Sequence, residues 1–420
     1  MKPKTLIPLL LFILGTRPFG FTLFYLYFIL SAFCLLPLIK SYKIKFPQIL
    51  LLVIFSCVFI QLFLGYPLDL VLLASYFPFL LAPIIYCSFL SGLDNFSVFT
   101  LKTFLPFSFY LSCIQLLIQF LQFFSTIFNY DLTFLNALVI PVPDYSASVF
   151  VAAGLSMDRY SGVFNQPLDC GLFWFSIFTL YFSSSNLPVY DLSCSDSLAS
   201  SLFWRRIAPI FALLGCLLSG SKIFLLIVSL LLVRFAQSFL NNLSTLRLSK
   251  RNLLFFMFAL FVLLPAFLSY VLTQVKNNPL ITVFFTTNAS FSNYLSFYNL
   301  SAGRISESGE ILKEDSSVFS VFGSGYHSVI YDNGFLYILK HIGFVGLLSF
   351  VIFAFISLVS FRCSPNAFHY SSRLQQILVF LAVMLVTIGG SVLTLHKSSL
   401  FFLSTLMYIS ATRASRFNAS

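Results

Sequence analysis

The sequence predicts an all-α polytopic membrane protein with about 10–12 transmembrane helices and one large extracytoplasmic loop, and three observations carry that prediction. Of its 420 residues, 59% are hydrophobic and only 9% charged, too few charges to cover a water-soluble surface. Apolar stretches recur at lengths near the roughly 20 residues that cross about 30 Å of hydrocarbon. The 24 Lys and Arg are unevenly placed between alternate connections, as a positive-inside topology requires.

Hydropathy, together with punctuation by Gly, Pro and charge, sets the segments at 5–15, 19–39, 46–64, 68–90, 103–128, 162–182, 207–219, 222–239, 252–272, 333–359, 374–395 and 398–410. The first, the seventh and the last are short. They need tilt, local thinning or a re-entrant path, which is why the helix count is a range. The opening MKPKTLIPLLLFILGTRPFG has the basic start and short apolar core of a signal peptide but no small-x-small cleavage site, and a second apolar run follows at once. It is expected to be an uncleaved first membrane segment.

With both termini cytoplasmic, sixteen of the 24 Lys and Arg fall on the cytoplasmic side. The other side keeps Arg17, Arg159, Lys222, Lys276, Arg304, Lys313 and Lys397, with Lys340 inside a segment. The opposite orientation breaks the rule at nearly every short loop. The expected organisation is a single integral membrane domain over 1–420 with two outer loops, 129–161 and the larger 273–332. A connection as long as the second is usually functional.

The basic excess is a topology signal rather than a nucleic-acid footprint, because it forms no long basic run and no patch interleaved with aromatic residues. Eight cysteines are scattered singly, without paired metal-ligand spacing. Glu307, Glu310, Glu314 and Asp315 cluster in the large loop but have neither a nearby His nor fixed spacing, and read as a solvated acidic face. No metal and no cofactor are expected. The 56 phenylalanines add bulk but name no ligand.

Chemistry is sought among the polar residues facing the outer compartment. Because the positive-inside rule expels cations from outer loops, Arg159, Lys222 and Arg304 stand out there. A guanidinium matches phosphate oxygens bidentately and an ammonium adds a point charge, so three such groups together suit a lipid-linked diphosphate. The plainer reading has the two arginines snorkelling toward headgroups and Lys222 ending a helix. In SGSK the lysine has almost no polar cushion, and its counter-charge would be Asp169, Asp332 or a substrate phosphate.

Asp332 and His327 are an acid and an imidazole close together at an outer helix mouth. Either would serve as a general base for a sugar hydroxyl attacking an anomeric carbon. Asp332 also suits a helix N-cap. Gly343 and Gly346 read as close-packing residues.

These pieces, in order, resemble the O-antigen polymerase and ligase superfamily, bacterial membrane enzymes that join lipid-linked glycans outside the cytoplasmic membrane. RYSGVFNQP looks like the family's Arg-x-x-Gly-Phe-x-x-Pro, and LLSGSK like its Thr-Gly-Ser-Arg turn with Lys222 in the arginine position. AGR followed by VFGSGY looks like the Gly-Arg and Gly-x-Gly of its large outer loop. Family ligases carry His-Asn, nine residues, Gly, two residues, Gly; here Asp332-Asn333 leads to Gly343 and Gly346 at that spacing, with Asp in place of His. The departure favours the polymerase branch.

The resemblance implies a metal-independent glycosyltransferase of the bacterial inner membrane that joins undecaprenyl-diphosphate-linked oligosaccharide repeat units. Both donor and acceptor glycans would be lipid-linked. Arg159, Lys222 and Arg304 would hold one or both diphosphates and stabilise the leaving group, while Asp332, together with His327, would orient or deprotonate the acceptor hydroxyl. Membrane lipids and a separate chain-length regulator are the implied partners, and no nucleic acid. A lipid-linked oligosaccharide flippase is the rival from another class, and a ligase the rival within the family. Transporters show internal repeats and midplane charges, whereas this sequence has no repeat and keeps its charges at segment ends.

Overall fold

The computed structural model describes residues 9–10, 46–63, 70–91, 103–128, 159–164, 167–184, 207–221, 223–224, 226–234, 321–323, 334–359, 368–388 and 396–419. Among these, all regular structure is helical. In chain order the helices are α1 (Phe46–Phe63), α2 (Leu70–Ser91), α3 (Phe104–Phe128), α4 (Pro167–Ser184), α5 (Ala208–Leu218), α6 (226–234), α7 (Gly334–Leu358), α8 (Phe368–Ile388) and α9 (His396–Ala419). The expected segments 19–39 and 252–272, most of 5–15 and nearly all of both long loops lie outside the described residues.

Local chemistry explains several helix ends. Pro167 opens α4, where a missing N–H costs nothing, and Asp169 puts a carboxylate in its first turn, toward the positive end of the helix dipole. Pro209 sits in the opening turn of α5 for the same reason. At the other end of α5, Gly220 at φ 60° donates to Leu217 O (3.0 Å) and Ser221 N donates to Cys216 O (3.2 Å). That pair of bonds is a Schellman cap, which needs a left-handed residue at Gly220.

Three expected boundaries are corrected, and one expected segment is interrupted. The segment expected from Gly162 becomes helical only at Pro167, because 161–164 form a turn in which Phe164 N donates to Ser161 O (3.2 Å). The segment expected to begin at 374 is already helical from Phe368, and that expected to end at 410 runs on to Ala419. Hydropathy reports where a helix is apolar, not where it stops. The expected segment 333–359 is interrupted at Gly343, where φ 69° and ψ −174° break the helical path of α7.

Among the described residues, two helical windows, Phe104–Ser125 in α3 and Ile338–Leu358 in α7, are long and apolar enough to cross a bilayer. The apolar windows of the other described helices are shorter, such as Pro167–Phe182 and Arg373–Thr387.

Bulky rings hold the bundle together. Phe89 of α2 meets Phe104 of α3 edge-on (5.4 Å, 74°) and Tyr408 of α9 likewise (5.5 Å, 76°). Phe401 of α9 reaches both Phe104 (5.7 Å) and Phe173 of α4 (5.0 Å), and Phe173 is edge-on to Trp174 (5.0 Å, 65°). Each such pair adds about 0.5–1.5 kcal/mol beyond simple burial. Around this centre, α9 packs against α2 and α4, α1 against α2 and α7, and α5 against α4 and α3.

The surface is apolar in stripes and the interior holds amides. On α3, Leu117, Leu121, Phe124 and Phe128 point outward, with Leu117 at 58% exposure, while Gln115 and Gln119 are fully buried at 0%. On α8, Leu374, Ile377, Leu381 and Leu385 repeat the outward stripe. A helix surrounded by water puts these residues the other way round.

Candidate functional site

The site is built where the turn after α5, the segment 159–164 and the start of α4 meet. Tyr160 N donates to Leu218 O (2.9 Å), which ties the segment to the last turn of α5. One residue earlier, the Arg159 guanidinium donates through Nη2 to Gly220 O (3.3 Å). Its Nε is buried and has no hydrogen-bond partner among the described residues. Burial lowers the Arg159 pKa from its ordinary value, since desolvation disfavours the charged form. An arginine remains cationic near neutrality even so.

Gly220 matters here twice over. A β-carbon at that position would press on the Arg159 side chain, so the cap that ends α5 is also the floor beneath the guanidinium. Its carbonyl faces the arginine only because the turn is left-handed.

Three glutamines of α3 fix the backbone that carries Arg159. Gln115 Nε2 donates to Ser161 O (3.0 Å) and its Oε1 accepts from Val163 N (2.8 Å). Gln119 Nε2 donates to both Tyr160 O (2.7 Å) and Gly215 O (3.0 Å), and its Oε1 accepts from Trp174 Nε1 (3.0 Å). Gln122 Oε1 accepts from Gly162 N (2.8 Å). Segment 160–163 is irregular backbone in an apolar interior, and these side chains supply the partners it requires. The sequence reading, which searched for charges, missed all three. Their signal was present: polar residues at i, i+4 and i+7 of a long apolar helix share one face.

Asp169, considered in the sequence as a counter-charge for Lys222, is 4% exposed and accepts a hydrogen bond from Ser398 Oγ at the start of α9. Nearby, the space beside Gly171 is filled by Ser221 of the α5 turn, so Asp169 and that turn belong to one neighbourhood. Replacing Ser398 with Ala is expected to cost about 1–3 kcal/mol by removing a donor from a buried carboxylate. Thermal melting of the detergent-purified protein measures it, and an unchanged midpoint would show that the bond is dispensable.

A second meeting point joins two of the motifs. Val345 N donates to Val321 O (3.1 Å), and Gly343 faces the backbone of 321–323 so closely that a β-carbon would run into Gly323 N and Val321 O. The start of the Gly-x-Gly stretch is thus seated on the helix break of the Gly343-x-x-Gly346 stretch. Lys340 and His341, just before the break, are buried at 4% and 1%.

Of the expected site residues, Arg159 is placed, beside the turn that leads to Lys222. Lys222, Arg304, His327 and Asp332 lie outside the described residues. Among the described residues, no group of three or more His, Cys, Asp or Glu is arranged to hold a metal ion. Comparison with family models, curated proteins and solved structures finds no match for this chain.

Proposed function

We propose that the protein spans the bilayer many times and polymerises lipid-linked oligosaccharide repeat units at the non-cytoplasmic face of a bacterial inner membrane. The observation that carries the reading is the seating of Arg159: a half-buried guanidinium tied to the Gly220 carbonyl, with a buried Nε that has no partner among the described residues, beside the turn that ends at Ser221, the residue before Lys222 in sequence. A fixed cation with unused donors suits an anion such as a diphosphate. The outward apolar stripes of α3 and α8 around an amide-lined interior support the membrane setting.

In this reaction an acceptor sugar hydroxyl attacks the anomeric carbon of the donor glycan. The anomeric C–O bond to the diphosphate breaks and the lipid diphosphate departs with the bonding pair. Asp332 or His327 takes the hydroxyl proton, and Arg159, Lys222 and Arg304 neutralise the charge that gathers on the leaving group. Placing cations in advance supplies this stabilisation without reorganisation during the step.

Removing the gene from its host tests the reading. The expected phenotype is a surface carrying single repeat units with no longer chains, visible as a collapsed glycan ladder on a gel. Repeat units trapped on the cytoplasmic side would instead identify a flippase, and polymer accumulating on its lipid carrier a ligase.

A further inference from the structure

We propose that Gln115, Gln119 and Gln122 are positioning residues for Arg159, setting the distance between its guanidinium and the Gly220 turn. Gln119 is the centre of the device. One amide nitrogen donates to Tyr160 O, next to Arg159, and to Gly215 O, in the helix whose cap carries Gly220. Its oxygen is held by Trp174 of α4, so α3 locks the arginine-bearing segment, α5 and α4 in one arrangement. Gln115 and Gln122 then grip the next residues of the segment from both the carbonyl and the N–H side.

The arrangement goes beyond satisfying buried backbone. An irregular segment needs partners, but they need not come from a single helix face or bridge to the cap under the arginine. Here three amides on one face of α3 hold the segment, and Gln119 also bridges to α5. The Arg159 side chain is tied by Nη2 to Gly220 O alone among the described residues, and its Nε finds no acceptor there, so its location also depends on the main chain behind it. The inference deepens the polymerase reading, on which the assignment of a substrate to Arg159 rests; the positioning itself is independent of that substrate.

The test compares full-length wild-type protein with Gln119→Met and Gln122→Met in native membrane vesicles. Methionine keeps the length of the side chain and removes its hydrogen bonds. Vesicles are treated with phenylglyoxal, and modification of individual arginines is followed by mass spectrometry. Arg234, held over the Tyr181 and Phe182 rings at 4.9 and 5.1 Å, is the internal control, because those rings lie in the last turns of α4, away from the site.

Gln119→Met is expected to raise the modification rate of Arg159 about tenfold, the factor corresponding to about 1.4 kcal/mol of lost hydrogen bonding, with Arg234 unchanged. Gln122→Met, which loses the bonds to Gly162 rather than the one between segment and α5, shifts Arg159 in the same direction by less. An unchanged Arg159 rate in both variants overturns the proposal, as does a parallel rise at Arg159 and Arg234, which marks general loosening. If Gln119→Met does not accumulate, Gln122→Met and Gln115→Met decide by the same criterion. A rise confined to Arg159 with a glycan ladder of full length upholds the positioning and removes Arg159 from the polymerase chemistry.

Discussion

Replacing Arg159 with Ala is expected to abolish long-chain glycan while single repeat units continue to reach the surface. The argument runs from charge. The guanidinium is half-buried, its pKa is lowered by desolvation, and among the described residues it donates to a main-chain carbonyl, that of Gly220. Holding a cation in such a place is costly, and the cost is offset when an anion arrives. If that anion is the departing diphosphate, loss of the cation removes stabilisation that grows as the bond breaks. Removing one such preorganised group lowers turnover by about 10²–10³-fold.

Arg159→Lys separates two parts of the effect. The ammonium keeps the charge but loses the planar fork and the Nη2 bond to Gly220, so partial chain extension is expected. Chain-length distributions on a glycan gel, normalised to protein in the membrane, measure both variants. Full-length chains in Arg159→Ala would reject the diphosphate role, and equal loss in both variants would place the requirement in guanidinium geometry rather than in charge.

The helical positions were legible because each described helix contains an apolar run with few charges, and such runs are visible without any tertiary knowledge. Their ends were less so. Helix α8 begins with FHYSSR, a polar turn that hydropathy assigns to a loop, and α9 continues through Thr412 and Arg413 for the same reason. The break in α7 was hidden too. Gly343 and Gly346 look alike in sequence as small residues suited to close packing, yet only Gly343 leaves the helical conformation, because the approaching backbone of 321–323 selects it.

The candidate site was legible in its charges and illegible in its neutral scaffold. Arg159 was found as a cation on the unfavoured side of a topology, an argument that needs only counting. The amides behind it carry no charge and leave that count untouched, although the spacing of Gln115, Gln119 and Gln122 encodes one helix face. The Asp169–Ser398 contact joins residues 229 positions apart, and no local pattern announces it. Chemistry that depends on charge can be read along the chain; placement depends on which uncharged groups meet, and that is a property of the fold.

Replacing Gly343 with Ala is expected to destabilise the protein by about 2–5 kcal/mol, the sum of two separate costs. A non-glycine residue in the left-handed region costs about 1–2 kcal/mol by itself. The added β-carbon then meets main-chain atoms of Val321, Phe322 and Gly323, which cannot rotate aside as a side chain can. The 321–323 strand of chain must therefore lift from α7, breaking the bond from Val345 N to Val321 O. Gly346→Ala is the comparison, since the nearest atoms a β-carbon there meets belong to the Ile342 side chain rather than to main chain, and Gly346 does not have a positive φ. Thermal melting in detergent measures the stability loss, and hydrogen exchange at the Val345 amide reports the strap directly. A larger drop in midpoint in Gly343→Ala than in Gly346→Ala, with rapid exchange at the Val345 amide in Gly343→Ala, is the expected result. Equal behaviour of the two variants would mean that the contact between the strap and the helix break does not hold this part of the molecule together.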